Sequence, residues 1–200
     1  MDPGRASQPR KLDAADLDKV LAVSRLKPRA MALIAGCRTV PDALQSLQDG
    51  GMPRQAVRLV AHGLPAREAV WWACMCARHT APVTLADTDR LALESAEAWV
   101  RRPSDETKQA ATIRAEAAGA KSPEVWAAMA VAWSGAAATP PDPRRRSPSG
   151  KVPGTAVVSS VVQASLRQTP KASQARLQRF LESGRDIASG GSGRLPAETQ

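Results

Sequence analysis

A run of nine residues without a charged or hydroxyl-bearing side chain, Ala69-Val-Trp-Trp-Ala-Cys-Met-Cys-Ala77, most constrains what this chain can fold into. Charged residues bracket it, Arg67 and Glu68 before, Arg78 and His79 after. At about 100° per residue, nine apolar positions reach every face of a helix, and a helix apolar all round has to be buried all round. At about 1.5 Å per residue the run is too short for the roughly 30 Å hydrocarbon core of a bilayer. It therefore predicts the central helix of an all-α soluble protein, a multi-helix bundle or a stack of helical hairpins around the Trp-Trp helix.

Ala is the commonest apolar residue, and five of the six aromatics are Trp, with no Tyr and one Phe. Small side chains let helices approach closely, and indole rings fill the larger gaps. Alternating β-branched runs, the mark of half-buried strands, are nearly absent. The cysteines are Cys37, Cys74 and Cys76. An odd number, two of them inside the apolar run, does not make a secreted disulfide framework, and the first ten residues lack the apolar stretch of a signal peptide. A reducing cytoplasm is the expected compartment.

Breakers and caps divide the chain. Residues 1–12 read as a disordered arm, 13–135 as a helical domain, 136–153 as a Pro- and Arg-rich linker, 154–189 as a C-terminal helical pair packing on the domain, and 190–200 as a disordered tail. Within the domain, helices are expected at 13–25 and 30–37, and from Thr39-Val-Pro-Asp42 to Gly50-Gly51. Further helices run from Pro53 to Gly63, from Pro65 through the apolar run, from a Thr84 cap to Arg102, from Ser104 to Ala118 and from Ser122-Pro123-Glu124 to Gly135. On the helix ending at Arg102, Ala92, Leu93, Ala96, Trp99 and Val100 share one face. Arg90, Glu94, Glu97 and Arg101 share the other as solvated i,i+4 pairs. Val70-Trp71-Trp72-Ala73 has an echo in Val125-Trp126-Ala127-Ala128, which reads as two helices with similar neighbours. The C-terminal pair is expected at 155–168 and 171–189.

The formal net charge is +9, and residues 31–135 contribute none of it. The excess sits in the flanks and linker, with Arg144, Arg145 and Arg146 the densest cluster. Affinity for nucleic acid is accordingly expected to be weak, non-specific, salt-sensitive and carried by those flanks.

Chemistry-bearing groups are few. Cys74 and Cys76 point about 200° apart on a helix and cannot share an ion, whereas Cys76 and His79 stand at i,i+3 and could. An enzyme or metal protein built on Cys76 and His79 is one alternative, and a basic nucleic-acid-associated protein is a second. Against the first, an apolar helix shields thiols. His62 and His79 both stand at helix C-termini, where the dipole favours a cationic ring. No phosphate loop, cofactor motif or catalytic constellation is apparent, and neither is a small-molecule substrate. Trp residues are frequent interaction hot spots. Trp72, beside the three arginines, is therefore a candidate partner-binding residue.

Four segments together carry a family resemblance: Leu64-Pro-Ala-Arg-Glu-Ala-Val-Trp-Trp-Ala-Cys-Met-Cys-Ala-Arg-His79, Ala96-Glu-Ala-Trp-Val-Arg-Arg-Pro-Ser104, Trp126 with Ala132-Trp-Ser-Gly135, and Arg179-Phe-Leu with Gly184-Arg-Asp-Ile-Ala188. In this order they resemble an uncharacterised family of bacterial helical proteins of unknown function, over about residues 30–188. The chain departs from that pattern after Gly135, where a second Gly and a shorter Pro-rich break would stand. The resemblance implies no activity or site. The expected role is a non-enzymatic interaction or adaptor protein of the bacterial cytoplasm with a protein partner, accessory to a larger assembly such as a secretion system.

Overall fold

The computed structural model describes residues 10–119, 121–135 and 152–198. These residues form eleven α-helices and no strand. In chain order they are α1 (Arg10–Asp13), α2 (Leu17–Ser24), α3 (Pro28–Leu33), α4 (Val40–Asp49), α5 (Pro53–Gly63), α6 (Ala66–His79), α7 (Asp87–Arg101), α8 (Asp105–Ala118), α9 (Pro123–Trp133), α10 (Pro153–Leu166) and α11 (Ser173–Ala188). A 3-10 turn, Pro170–Ala172, joins the last two.

Local signals set most boundaries. The Thr39 hydroxyl accepts from the backbone N–H of Asp42 at 3.2 Å, and the Ser122 hydroxyl accepts from that of Val125 at 3.2 Å. Ser104 and Thr107 close a reciprocal capping box. Pro53 and Pro123 occupy first turns, where no N–H is missed. Two expectations are corrected. The helix expected at 13–25 is split, because the Asp16 carboxylate accepts from the Lys19 N–H at 3.2 Å and restarts the chain as α2. A side chain that caps so well competes with helix continuation. Thr84 caps nothing: α7 begins at Asp87, with Asp87 and Asp89 in its first turn.

The apolar run lies at the centre. Of its nine residues all are buried except Trp71, which is partly buried. α6 and α9 pack on each other and both pack on α7 and α10, so the echo between their sequences reflects shared neighbours. α10 is as central as α6, lying against α5, α6, α9 and α11. Small residues allow this. The Ser160 hydroxyl of α10 donates to the Pro123 carbonyl of α9 at 2.7 Å. A Cβ on Gly154 would stand 2.4 Å from the ring nitrogen Nδ1 of His62 on α5.

That contact reverses the expectation for His62. Its Nδ1 is buried without a hydrogen-bond partner. Burial, helped by the nearby Arg58 charge, lowers the imidazole pKa from 6.5 to about 4. The ring is neutral in the folded protein, and the helix dipole does not decide its state. The unfolded chain takes up this proton below pH 6.5, whereas the folded protein resists until about 4. Stability is therefore intact above pH 6.5 and should fall between 6.5 and 4, by roughly 2 kcal/mol after allowance for the ring's partial exposure. Urea midpoints measured across this range should flatten in His62→Gln, and an equally steep decline in that variant would refute the assignment.

Residues 10–12 and 190–198, the described parts of the two segments expected to be disordered, are ordered. Leu12 on α1 is 0% exposed, and a Cβ on Gly63 would stand 2.9 Å from its side chain. Residues 190–198 are fixed on the body of the fold. Residues 1–9, most of the expected linker and the last two residues lie outside the described chain.

Candidate functional site

The residues singled out in the sequence take unequal places. Trp72 is corrected as a partner-binding candidate: it is 0% exposed, and its indole N–H donates to the Phe180 carbonyl of α11 at 2.7 Å. The neighbouring Trp71 is the one at the surface. Arg144, Arg145 and Arg146 lie outside the described residues. Cys74 and Cys76 are fully buried, and desolvation pushes both thiols well above their ordinary pKa. His79 is not joined to Cys76. It donates from Nδ1 to the Pro196 carbonyl, and its ring meets Phe180 edge-on at 5.7 Å. Among the described residues no three His, Cys, Asp or Glu side chains group closely enough to hold a metal ion.

His79 and Trp71 belong instead to a groove between α6 and α11. After α11 the chain reverses at Gly190 (φ +95°) and Gly193 (φ +61°), where left-handed backbone demands glycine. A Cβ on Gly193 would also stand 2.4 Å from the Ile187 side chain. The glycines at the start of the expected disordered tail are what this tight return requires. The segment then runs back along α11 and forward along α6.

Its main chain is gripped at successive points. The Trp71 indole N–H donates to the Ser192 carbonyl at 2.7 Å, and the Ser183 hydroxyl donates to the Gly193 carbonyl at 2.5 Å. His79 takes the Pro196 carbonyl, and the Glu198 N–H donates to the His79 carbonyl at 2.8 Å. The Gly193 N–H donates to the Asp186 carboxylate at 2.7 Å. A single charged anchor completes the set. Arg176, buried on α11, donates from Nε to Glu198 Oε2 at 2.9 Å, and its Nη2 stands 2.6 Å from the same oxygen. The Arg176 hydrogen bonds hold the Glu198 carboxyl below its ordinary pKa. Arg176 also donates to the carbonyls of Ser165 and Arg167 at the end of α10. Arg176, Ser183, Asp186 and Glu198 were not legible as a site, because their pairing depends on a chain reversal.

Beside the groove a smaller cleft of about 280 Å³ is lined by Trp71, Lys11, Glu68 and Arg101 among others. Lys11 and Glu68 pair across it at 2.8 Å.

These features define an all-α helical protein with a peptide-like segment lodged between two of its helices. The chain belongs to DUF6931, a family of unknown function whose model matches residues 43–188. No curated protein and no solved structure matches it. Both groove helices fall inside the matched region; α1 to α3 and the lodged segment fall outside it. Among the described residues no helix is long and apolar enough to cross a membrane.

Proposed function

We propose that this protein is a non-enzymatic adaptor of the bacterial cytoplasm, whose α6–α11 groove accepts an extended, carboxylate-bearing peptide segment of a partner protein. The observation that carries the reading is how residues 192–198 are held. Most of their contacts go to main-chain groups, which every peptide has, and one carboxylate sits on Arg176. Recognition through main-chain groups with one charged anchor is a general way to bind extended peptides. The partner segment would replace the chain's own. Two further observations support the reading. Cys76 and His79, the alternative catalytic pair, are engaged in packing and in holding Pro196. All three thiols are free, which suits a reducing compartment.

The test uses a fluorescein-labelled peptide with the sequence of residues 190–198, followed by anisotropy with the full chain and with Glu198→Gln. Hydrogen bonds to charged groups contribute about 1.5–3 kcal/mol. Removing the internal carboxylate should therefore weaken the resident segment and tighten peptide binding at least about tenfold. Adding Arg176→Met should abolish the gain. Absence of saturable binding to a folded Glu198→Gln variant would overturn the proposal.

A further inference from the structure

A second and larger cleft, about 470 Å³, opens where the start of α5 faces the 3-10 turn and the first turns of α11. Its volume falls in the range of about 300–1,000 Å³ common for small-molecule sites. Three cations line it, Lys27, Arg54 and Lys171, and no carboxylate does. The ion pairs among the described residues use none of the three. Uncompensated cations converging on one concave surface repel each other and raise the local concentration of anions.

Hydrogen-bond donors accompany the charge. Gln55, only 9% exposed, lines the cleft; its Oε1 accepts from the Lys27 N–H at 3.2 Å. Its Nε2 donors are left without a protein acceptor among the described residues. At the start of α5, Pro53 has no N–H and Met52 supplies no side-chain cap, so the Arg54 N–H is also open. The positive end of an eleven-residue helix thus adds to the three side-chain charges. Met52, Pro170 and Leu177 add apolar surface to the same lining.

We propose that this cleft binds a small organic phosphate. Three cations match a dianion better than a single carboxylate, which would leave two of them uncompensated. Arg54 can fork onto two phosphate oxygens while Lys27 and Lys171 act as point charges. The apolar side chains in the lining would contact the organic group, which is why an organic ester should be preferred to the bare ion. The cleft shares no residue with the α6–α11 groove, so this inference stands apart from the adaptor reading.

The test is calorimetric titration of the full chain with phenyl phosphate, inorganic phosphate and phenol, paired with amide chemical-shift mapping. Phenyl phosphate should saturate at one site, at least about fivefold tighter than inorganic phosphate, with the largest shifts at Arg54, Gln55 and Gln174; phenol should give no saturable heat. The triple variant Lys27→Ala, Arg54→Ala, Lys171→Ala should weaken phenyl phosphate at least about twentyfold with an unchanged thermal melt. Arg54→Gln alone, a milder change at an exposed position, should weaken it several-fold. The proposal is overturned if phenyl phosphate gives no saturable signal, if the triple variant binds it as well as the parent, or if inorganic phosphate binds equally tightly.

Discussion

Trp72→Ala is expected to cost about 4–5 kcal/mol, the upper part of the range for deleting a buried indole. The ring is fully buried, and a Cβ on Gly184 of α11 would lie 3.2 Å from it and 2.9 Å from Val60. The indole therefore lies against α11 at a position kept free of a side chain. Two helices held this closely cannot collapse into the space an indole leaves. The indole N–H bond to the Phe180 carbonyl is lost as well. For a chain of this size, that should lower the melting temperature by roughly 8–20 °C. Trp72→Phe, which keeps most of the volume but loses the N–H, should cost about 1–2 kcal/mol. Trp71→Ala should cost less, about 2 kcal/mol, because this ring is only partly buried and its bond is to the Ser192 carbonyl at the surface. Thermal and urea unfolding of the three variants decide the matter. Equal losses at the two tryptophans would sink the assignment of the core to Trp72.

The reason these two residues could not be told apart in the sequence is physical. Side chains one position apart diverge by about 100°, and an amphipathic stripe normally tells which of them faces inward. The run from Ala69 to Ala77 has no such stripe. It announced that the helix is buried and removed the means of orienting it. Caps and breakers were legible for the opposite reason: Thr39, Ser104, Ser122, Pro53 and Pro123 act on atoms within three residues of themselves. Glu97 shows where locality ends. The helix wheel put it on a solvated face with Glu94, yet it is buried, because Arg78 on α6 forks onto it, with Nη2 to Oε2 at 2.7 Å. Glu94 stays in solvent, bonded to Arg90 at 3.1 Å. No spacing rule along α7 distinguishes the two.

The candidate groove was the least legible part. Its shape needs the left-handed turns at Gly190 and Gly193, and its charge pair joins Arg176 to Glu198 across that reversal. Composition marks the start of the segment as loose, since Gly190-Gly-Ser-Gly193 carries no apolar side chain. The order comes from five hydrogen bonds to main-chain groups, for which the identity of the side chains carries no signal.

Glu124→Ala should be nearly as damaging as the loss of Trp72, at about 3–5 kcal/mol. Ser122-Pro123-Glu124 reads in the sequence as a helix start with an acid in the first turn, which suggests an exposed carboxylate helped by the dipole. The carboxylate is instead 0% exposed. Arg167, just past the end of α10, donates to it twice, at 2.8 and 2.7 Å, and also to the Thr80 carbonyl at 3.4 Å. The pair ties the beginning of α9 to the end of α10 and the end of α6, the three helices at the centre of the fold. Removing the carboxylate leaves a guanidinium, mostly shielded from water, with one weak neutral acceptor. Its desolvation is then uncompensated, and that uncompensated charge, more than the lost attraction, is the source of the penalty. The double variant Glu124→Ala, Arg167→Met should consequently be more stable than Glu124→Ala alone, because no stranded charge remains. Urea midpoints with unchanged slopes would measure each loss. A double variant less stable than Glu124→Ala would show that the pair contributes net attraction, and the account of a stranded guanidinium would fail.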